Sequence, residues 1–361
     1  MPCLWRLNLY YIQLTTAVWD PMSPDLFWIL AGALSAAVCF IWYSRLVQRD
    51  ISLVGRAKPK AAFRATRLTA STFLISEYQD IYGERPQIFV KLVPSARTIL
   101  IVDTGCGGVT ADPTVEITSL RQYIEEVKLD CNGGAPLNEA KNMEYVVVAT
   151  HCHYDHILGM EQFHSKSQIL VSSYSPSFIS ASNLPTNSLC ASLGIETPSY
   201  SPVLVPHHHA IYSDEHISLG VSILHTPGHT PDELALFDYA EKMLYVGDSL
   251  YEKEPIIFPK EGSIVEWLTS IEYLILFVAK ENETGHVRIN SGHATVYRPA
   301  LEVLVAAKEF MQDVIAGREP VRERITVRGE ENVVYLQDGG RFALRSPERL
   351  VLAAQIMSGV Q

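Results

Sequence analysis

The chain lacks paired cysteines of the kind that build a disulfide framework. Its six cysteines, at positions 3, 39, 106, 131, 152 and 190, are widely spaced and include no C-x-x-C pair. A disulfide-stapled scaffold is therefore excluded, and the pattern suits a reducing compartment. Positive charge is also scarce: 29 Lys and Arg face 40 Asp and Glu, for a formal net charge of −11. That balance argues against a general nucleic-acid surface, which needs clustered cations to meet phosphates. No internal repeat or low-complexity tract is present, which excludes a repeat architecture. What remains is a chain of 361 residues, 47% apolar and 19% charged. Such a chain is globular and long enough for one large domain or two small ones.

The densest chemistry lies in Thr150-His151-Cys152-His153-Tyr154-Asp155-His156, directly after the apolar, strand-like Tyr145-Val146-Val147-Val148-Ala149. Imidazole and carboxylate are ligands for borderline transition metals. Residues two apart in an extended segment point the same way, so His151 and His153 can converge on one ion. Asp155 and His156 can then turn toward a second. The same alternation points the Cys152 thiol away, where it reads as a packed, unreactive side chain, and Cys106 is read with the same caution. Three further candidates follow short apolar runs, each in a Gly-containing turn. They are His229 in His225-Thr226-Pro227-Gly228-His229-Thr230, Asp248 in Leu244-Tyr245-Val246-Gly247-Asp248, and His293 in Ser291-Gly292-His293-Ala294. His225 reads as structural. The run His207-His208-His209 reads as a solvated loop, because consecutive residues in a strand alternate in direction.

In this ordered set the chain resembles the metallo-β-lactamase-fold hydrolase superfamily, over about residues 70 to 300. Asp103-Thr104-Gly105 is similar to that family's first motif, a buried structural Asp after a strand. The resemblance implies a four-layer αββα sandwich of class α/β, with the site at one edge. It also implies a first metal held by His151, His153 and His229, and a second held by Asp155, His156 and His293, with Asp248 bridging the two. Two zinc ions are expected, with iron or manganese left open because ligand type alone does not choose the metal.

Local patterning predicts strands over 88–93 and 98–102 joined at Pro94-Ser95-Ala96, and a helix near 118–127. A further helix is predicted over 263–280, with Ile264, Trp267, Leu268, Ile271, Leu274 and Ile275 on one stripe. Residues 299–315 are also predicted helical, and 332–344 form a hairpin around Asp338-Gly339-Gly340. The predicted tail packs on the domain or covers part of the cleft. Near the N-terminus, residues 26–43 are uncharged. As a helix they would rise about 27 Å, close to the hydrocarbon thickness of a bilayer. Trp28, Trp42 and Tyr43 flank the run as interfacial aromatics would, and Asp20 and Asp25 fit a cleaved signal badly. Arg45, Arg49, Arg56, Lys58, Lys60 and Arg64 follow it, whereas Arg6 precedes it. The positive-inside rule then places the downstream part in the cytosol. The expected organisation is an N-terminal segment 1–25, a membrane-spanning helix 26–43, a basic linker 44–70 and a catalytic domain 71–361. A soluble cytoplasmic chain is the alternative.

Metal coordination lowers the pKa of water from 15.7 toward ~7 and so supplies hydroxide near neutral pH. Asp155 is expected to hydrogen-bond that nucleophile, and Tyr251 to donate to an oxyanion or leaving group, or else to pack as an ordinary aromatic. The resemblance is closest to thioesterase and glyoxalase II members, including acyl-CoA hydrolases, so a small-molecule thioester is the expected substrate. A lactone or carboxylic ester is the nearest rival. Asp248 stands where many zinc β-lactamases use Cys, which makes a true β-lactamase the weaker reading. The spacing from His229 to Asp248 to His293 leaves no room for the inserted domain of the nuclease members. The reading from another class is a non-catalytic membrane-associated metal-binding protein.

Overall fold

The computed structural model describes residues 61–359. The predicted membrane-spanning helix 26–43 and most of the predicted linker lie outside these residues. Among the described residues, no helix is long and apolar enough to cross a membrane.

Seven strands form the first sheet in sequence order: β1 (Phe63–Arg67), β2 (Thr72–Glu77), β3 (Gln87–Val93), β4 (Thr98–Val102), β5 (Glu144–Val148), β6 (Gln168–Ser172) and β7 (Pro202–Val205). The first four pair antiparallel, and β4 through β7 run parallel. A parallel sheet buried on both faces needs nearly continuous apolar strands. Thr98-Ile99-Leu100-Ile101-Val102 is buried throughout, as that rule requires. The second sheet contains β8 (Ala210–Tyr212), β9 (Ser218–His225), β10 (Leu234–Asp238), β11 (Met243–Tyr245), β13 (Arg288–Asn290) and β14 (Arg298–Pro299). Its strand order is β14-β13-β11-β10-β9-β8. The intervening β12 (Pro255–Ile257) belongs elsewhere.

Alternation of side chains sorts each strand into two cores. Val146 and Val148 of β5 face the second sheet and pack with Ile223, Leu234, Leu236 and Tyr245. Tyr145 and Val147 point the other way, onto α1 (Leu120–Glu126) through Leu120, Tyr123 and Ile124. The short helices α2 (Tyr154–Ile157), α3 (Leu184–Asn187) and α4 (Cys190–Leu193) lie in loops. The outer face of the second sheet is covered by α5 (Ile264–Glu281), α6 (Ala300–Ile315) and α7 (Glu348–Met357). Helix, sheet, sheet, helix is the expected αββα layering.

One expectation needs correction. Residues 63–67 are not linker: they form β1, in register with β2 from Phe63↔Glu77 to Arg67↔Phe73. Phe63 is buried while Arg64 and Arg67 lie over the rings of Tyr78 and Phe73, so a basic segment serves as an edge strand. The sandwich also carries a third sheet. It combines β12 with β15 (Val321–Val327), β16 (Glu330–Leu336) and β17 (Ala343–Pro347), in the order β12-β17-β16-β15. The predicted hairpin is its β16–β17 pair, and the sheet is attached through the parallel pairing of β12 with β17.

The two main sheets are joined by an ion pair as well as by apolar packing. Lys91 of β3 bonds the wholly buried Asp238 at the end of β10, and Asp238 also accepts the backbone N–H groups of Ala240 and Glu241. Removing one partner of a buried pair strands the other charge. Lys91→Met is expected to cost about 3–5 kcal/mol in denaturant unfolding, with much of it returned by the double variant Lys91→Met/Asp238→Leu. A loss below about 1 kcal/mol would place the pair with ordinary surface salt bridges.

Candidate metal centre

Every candidate ligand follows the carboxyl end of a strand. His151 to His156 follow β5, His229 follows β9, Asp248 follows β11 and His293 follows β13, and the structural Asp103 likewise follows β4. The parallel pairs β4–β5 and β11–β13 bring these ends to one edge of the sandwich, where open α/β sheets hold their ligands. After β5 the chain stays extended through His153, at φ −63° and ψ 148°, then enters the single turn of α2 that carries Asp155 and His156.

The side chains form two adjoining groups, His151 with His153 and His229, and Asp155 with His156, Asp248 and His293. All seven are buried, and the ligand atoms within each group lie within 4.8 Å of one another. In the first group the His153 Nδ1 is 3.0 Å from both His151 Nε2 and His229 Nε2. In the second, His293 Nε2 lies 3.2 Å from Asp155 Oδ2, and His156 Nε2 lies 3.2 Å from Asp248 Oδ1. Asp248 faces both groups: its Oδ2 is 4.0 Å from His151 Nε2 and 3.9 Å from His229 Nε2. A carboxylate with one oxygen toward each group has the disposition expected of a bridge.

The imidazoles are oriented from behind. His229 Nδ1 donates to the Ile257 carbonyl at 2.6 Å, and His293 Nδ1 donates to the Glu84 carbonyl at 2.8 Å. His156 Nδ1 bonds Asp103 Oδ2 at 2.8 Å. These contacts select the tautomer that leaves each Nε2 as a free donor atom. The donor set fits a first-row divalent ion. His156 Nε2 and Asp248 Oδ1 are buried with no hydrogen-bond partner, and three converging neutral imidazoles are otherwise mutually uncomplemented. Position 292 must be glycine, since a Cβ there would come within 2.3 Å of Asp248 Oδ1.

The family model for the metallo-beta-lactamase superfamily matches residues 144–308. The chain belongs to the metallo-β-lactamase superfamily. Among curated proteins it is 33% identical over 270 residues to "Putative transcription factor avaE" of Aspergillus versicolor, covering 73% of this chain and 79% of that protein. It is 26% identical over 218 residues to the human acyl-coenzyme A thioesterase MBLAC2, covering 54% of this chain and 66% of that one. A metallo-beta-lactamase family protein from Thermus thermophilus shares the fold, with a TM-score of 0.50 and 16% identity, over 70% of this chain and 82% of that one.

Within this superfamily frame all seven sequence-derived ligand candidates come together. Tyr251 lines the same cleft, is buried and sets its ring 5.5 Å from that of His293, and burial, then the negative charge of Asp248, push its hydroxyl pKa up. Cys152 and Cys106 are buried with thiol pKa values pushed up, chiefly by burial, as expected of packed thiols. His225 bonds the Val205 carbonyl, and neither it nor His207–His209 joins a ligand group. Sequence reading missed Glu233, which is buried and accepts the Asp248 N–H at 2.8 Å. An acidic pair, Asp232-Glu233, in an otherwise apolar stretch was the available signal. It also missed Glu84 and Ile257, whose contribution is a backbone carbonyl that any residue can supply.

Burial, reinforced by neighbouring imidazoles, drives the His151 and His153 pKa values down, the latter to about 3. For His293, burial acts in the same direction but is outweighed by Asp248 and Asp155, which raise it to about 9. The two effects give opposite pH dependence in metal-free protein. His153 contributes stability that is present above its unfolded value near 6.5 and is lost as pH falls toward 3. His293 contributes stability that is present below 6.5 and is lost as pH rises toward 9. Chelator-treated protein should therefore be most heat-stable near pH 6.5 by scanning calorimetry. A Tm that climbs or falls steadily from about pH 5 to about pH 9 would contradict the opposed titrations.

Proposed function

We propose that the chain is a dinuclear-metal hydrolase of activated carbonyl compounds, with thioesters as the substrate class and zinc as the metal. The observation that carries this reading is Asp248, set between two complete ligand groups with one carboxylate oxygen toward each. The groups open on a cleft lined by His153, Asp155, His229, Asp248, Tyr251 and His293. A structural metal site is closed, whereas a catalytic one keeps room for water and substrate. The name of the human relative, an acyl-coenzyme A thioesterase, supports thioesters over lactones and simple esters.

Bound metal would supply hydroxide near neutral pH and polarise the carbonyl under attack. The remaining work falls to the chain. Asp155 lines the cleft with its Oδ2 3.2 Å from His293 Nε2, and its carboxylate would accept a hydrogen bond from the attacking nucleophile. In metal-free protein burial alone would raise the Asp248 carboxyl, but His156 and His293 outweigh it and hold its pKa well below the ordinary carboxylate value. The Tyr251 hydroxyl, in the cleft lining with Asp248, would donate to developing negative charge. Thioesters are activated, with good leaving groups, so modest electrostatic help suffices.

The name of the Aspergillus versicolor relative, a transcription factor, carries a rival reading, a role in transcription. The excess of 40 acidic over 29 basic residues favours a small-molecule substrate over a polyphosphate backbone.

Metal-loaded protein should turn over acyl-CoA, acylglutathione or acyl-carrier thioesters, and Asp155→Ala should abolish turnover while leaving circular dichroism unchanged. Tyr251→Phe should lower kcat on the order of a hundredfold; an unchanged kcat would reduce Tyr251 to a packed aromatic. Absence of turnover across the whole thioester panel would defeat the assignment. We also propose that residues 26–43 anchor the chain with its catalytic part in the cytosol. Full-length protein should then sediment with membranes while a form lacking residues 1–50 stays in the supernatant. Equal partition of the two would remove the anchor.

A further inference from the structure

The metal cleft does not end at the metal ligands. It shares Ile257, Pro259 and Arg345 with a second groove beside it, which is also lined by Leu189 just before α4, Lys260 and Arg328. Arg345 is fixed at this junction by its backbone. It pairs with Ile257 across the β12–β17 ladder, and its carbonyl accepts the Phe258 N–H at 2.9 Å. Ile257 is the residue whose own carbonyl orients His229. The arginine thus stands one strand away from a candidate metal ligand.

Apart from Arg328, the other arginines of this sheet and its adjoining segments are satisfied by carboxylates. Arg322 pairs with Asp338, Arg324 with Glu348, Arg341 with Glu252 and Glu302, and Arg349 with Glu330. The side chains of Arg345 and Arg328 form no hydrogen bond or ion pair among the described residues. Arg328 sits in the β15–β16 turn at φ 51° and is exposed, so water satisfies it. Arg345 is half-buried. Burial holds its pKa below the ordinary arginine value, Glu84 across the metal cleft works the other way, and Arg328 reinforces burial. The acids of the groove are already engaged: Glu330 by Arg349 and Glu261 by Lys260 at 3.4 Å. A chain of net charge −11 therefore presents, beside its reactive centre, two guanidinium groups with no hydrogen-bonded or ion-paired acid among the described residues. Guanidinium is the side chain suited to bidentate capture of carboxylate or phosphate, and a partly desolvated one is worth most when such a partner arrives.

We propose that Arg345, assisted by Arg328, binds an anionic group of the substrate, a phosphate or a carboxylate, in the groove beside the metal cleft. The proposal rests on the hydrolase reading for the word substrate, and it narrows that reading to thioesters that carry a negative charge away from the scissile carbonyl. Arg345 is a specificity residue here and takes no part in bond breaking.

The test compares three thioesters of one acyl group: with coenzyme A, which brings phosphates, with glutathione, which brings carboxylates, and with neutral N-acetylcysteamine. Arg345→Gln is expected to lower the ratio of kcat/KM for the better anionic substrate over that for the neutral one by about tenfold. Arg345→Lys should restore part of it, and Arg328→Gln should lower it by a smaller factor. Whichever anion shows the effect identifies the source. An unchanged ratio in Arg345→Gln would overturn the proposal. Calorimetric binding of free coenzyme A and free glutathione separates the two readings. If wild type hydrolyses none of the thioesters yet binds one of these anions about tenfold more tightly than Arg345→Gln, the anion site stands and hydrolysis falls. If it hydrolyses them and binds both anions no better than the variant, the anion site falls and hydrolysis stands.

Discussion

The centre depends on one buried carboxylate that touches no metal position. Asp103 accepts the Thr150 N–H at 2.7 Å, the Thr150 hydroxyl at 2.9 Å and the His156 ring at 2.8 Å. It thereby ties the end of β4 to both ends of the ligand segment after β5. Thr104 completes the tie by donating from backbone and side chain to the His156 carbonyl. Asp103 itself is held at φ 63°, a left-handed conformation that costs free energy unless the surroundings enforce it. Here the three hydrogen bonds do so. Charge-assisted bonds of this kind are stronger than neutral ones, and the His156 contact also determines which nitrogen faces the second ligand group.

The candidate ligands were legible in the sequence because coordination demands particular side chains, and here they follow apolar, strand-like runs. His151, His153, Asp155, His156, His229, Asp248 and His293 are read from composition and spacing, and the structure brings all seven into two adjoining groups. Groups that act through the backbone left no such signature. Ile257 and Glu84 hold two of the histidines by their carbonyls, and nothing in an isoleucine announces that its carbonyl will be used. The layered architecture came from resemblance; periodicity gave the helices at 264–281 and 300–315 to within a residue.

What stayed hidden in the sequence has physical causes too. Phe63-Arg64-Ala65-Thr66-Arg67 has a single large apolar residue, so it reads as linker. An edge strand needs little more, since hydrogen bonds to one neighbour supply most of its order. Val321-Arg322-Glu323-Arg324 is largely exposed, which hides a third sheet whose attachment to the domain is a parallel pairing of Pro255–Ile257 with the far-off Ala343–Arg345. Local pattern carries no information about such a distant partner.

On the proposed reading, that distant pairing separates chemistry from choice of substrate along the chain. The groups that would hold metal come from residues 151–293, whereas one wall of the cleft comes from Arg345, beyond the 144–308 segment that matches the superfamily. Because β17 is fastened to β12 by backbone hydrogen bonds, its side chains can change without disturbing the ladder that carries the Ile257 carbonyl. A lineage can therefore alter what enters the cleft by mutating its C-terminal segment and leave the reacting groups untouched, so relatives with the same ligand set need not share a substrate.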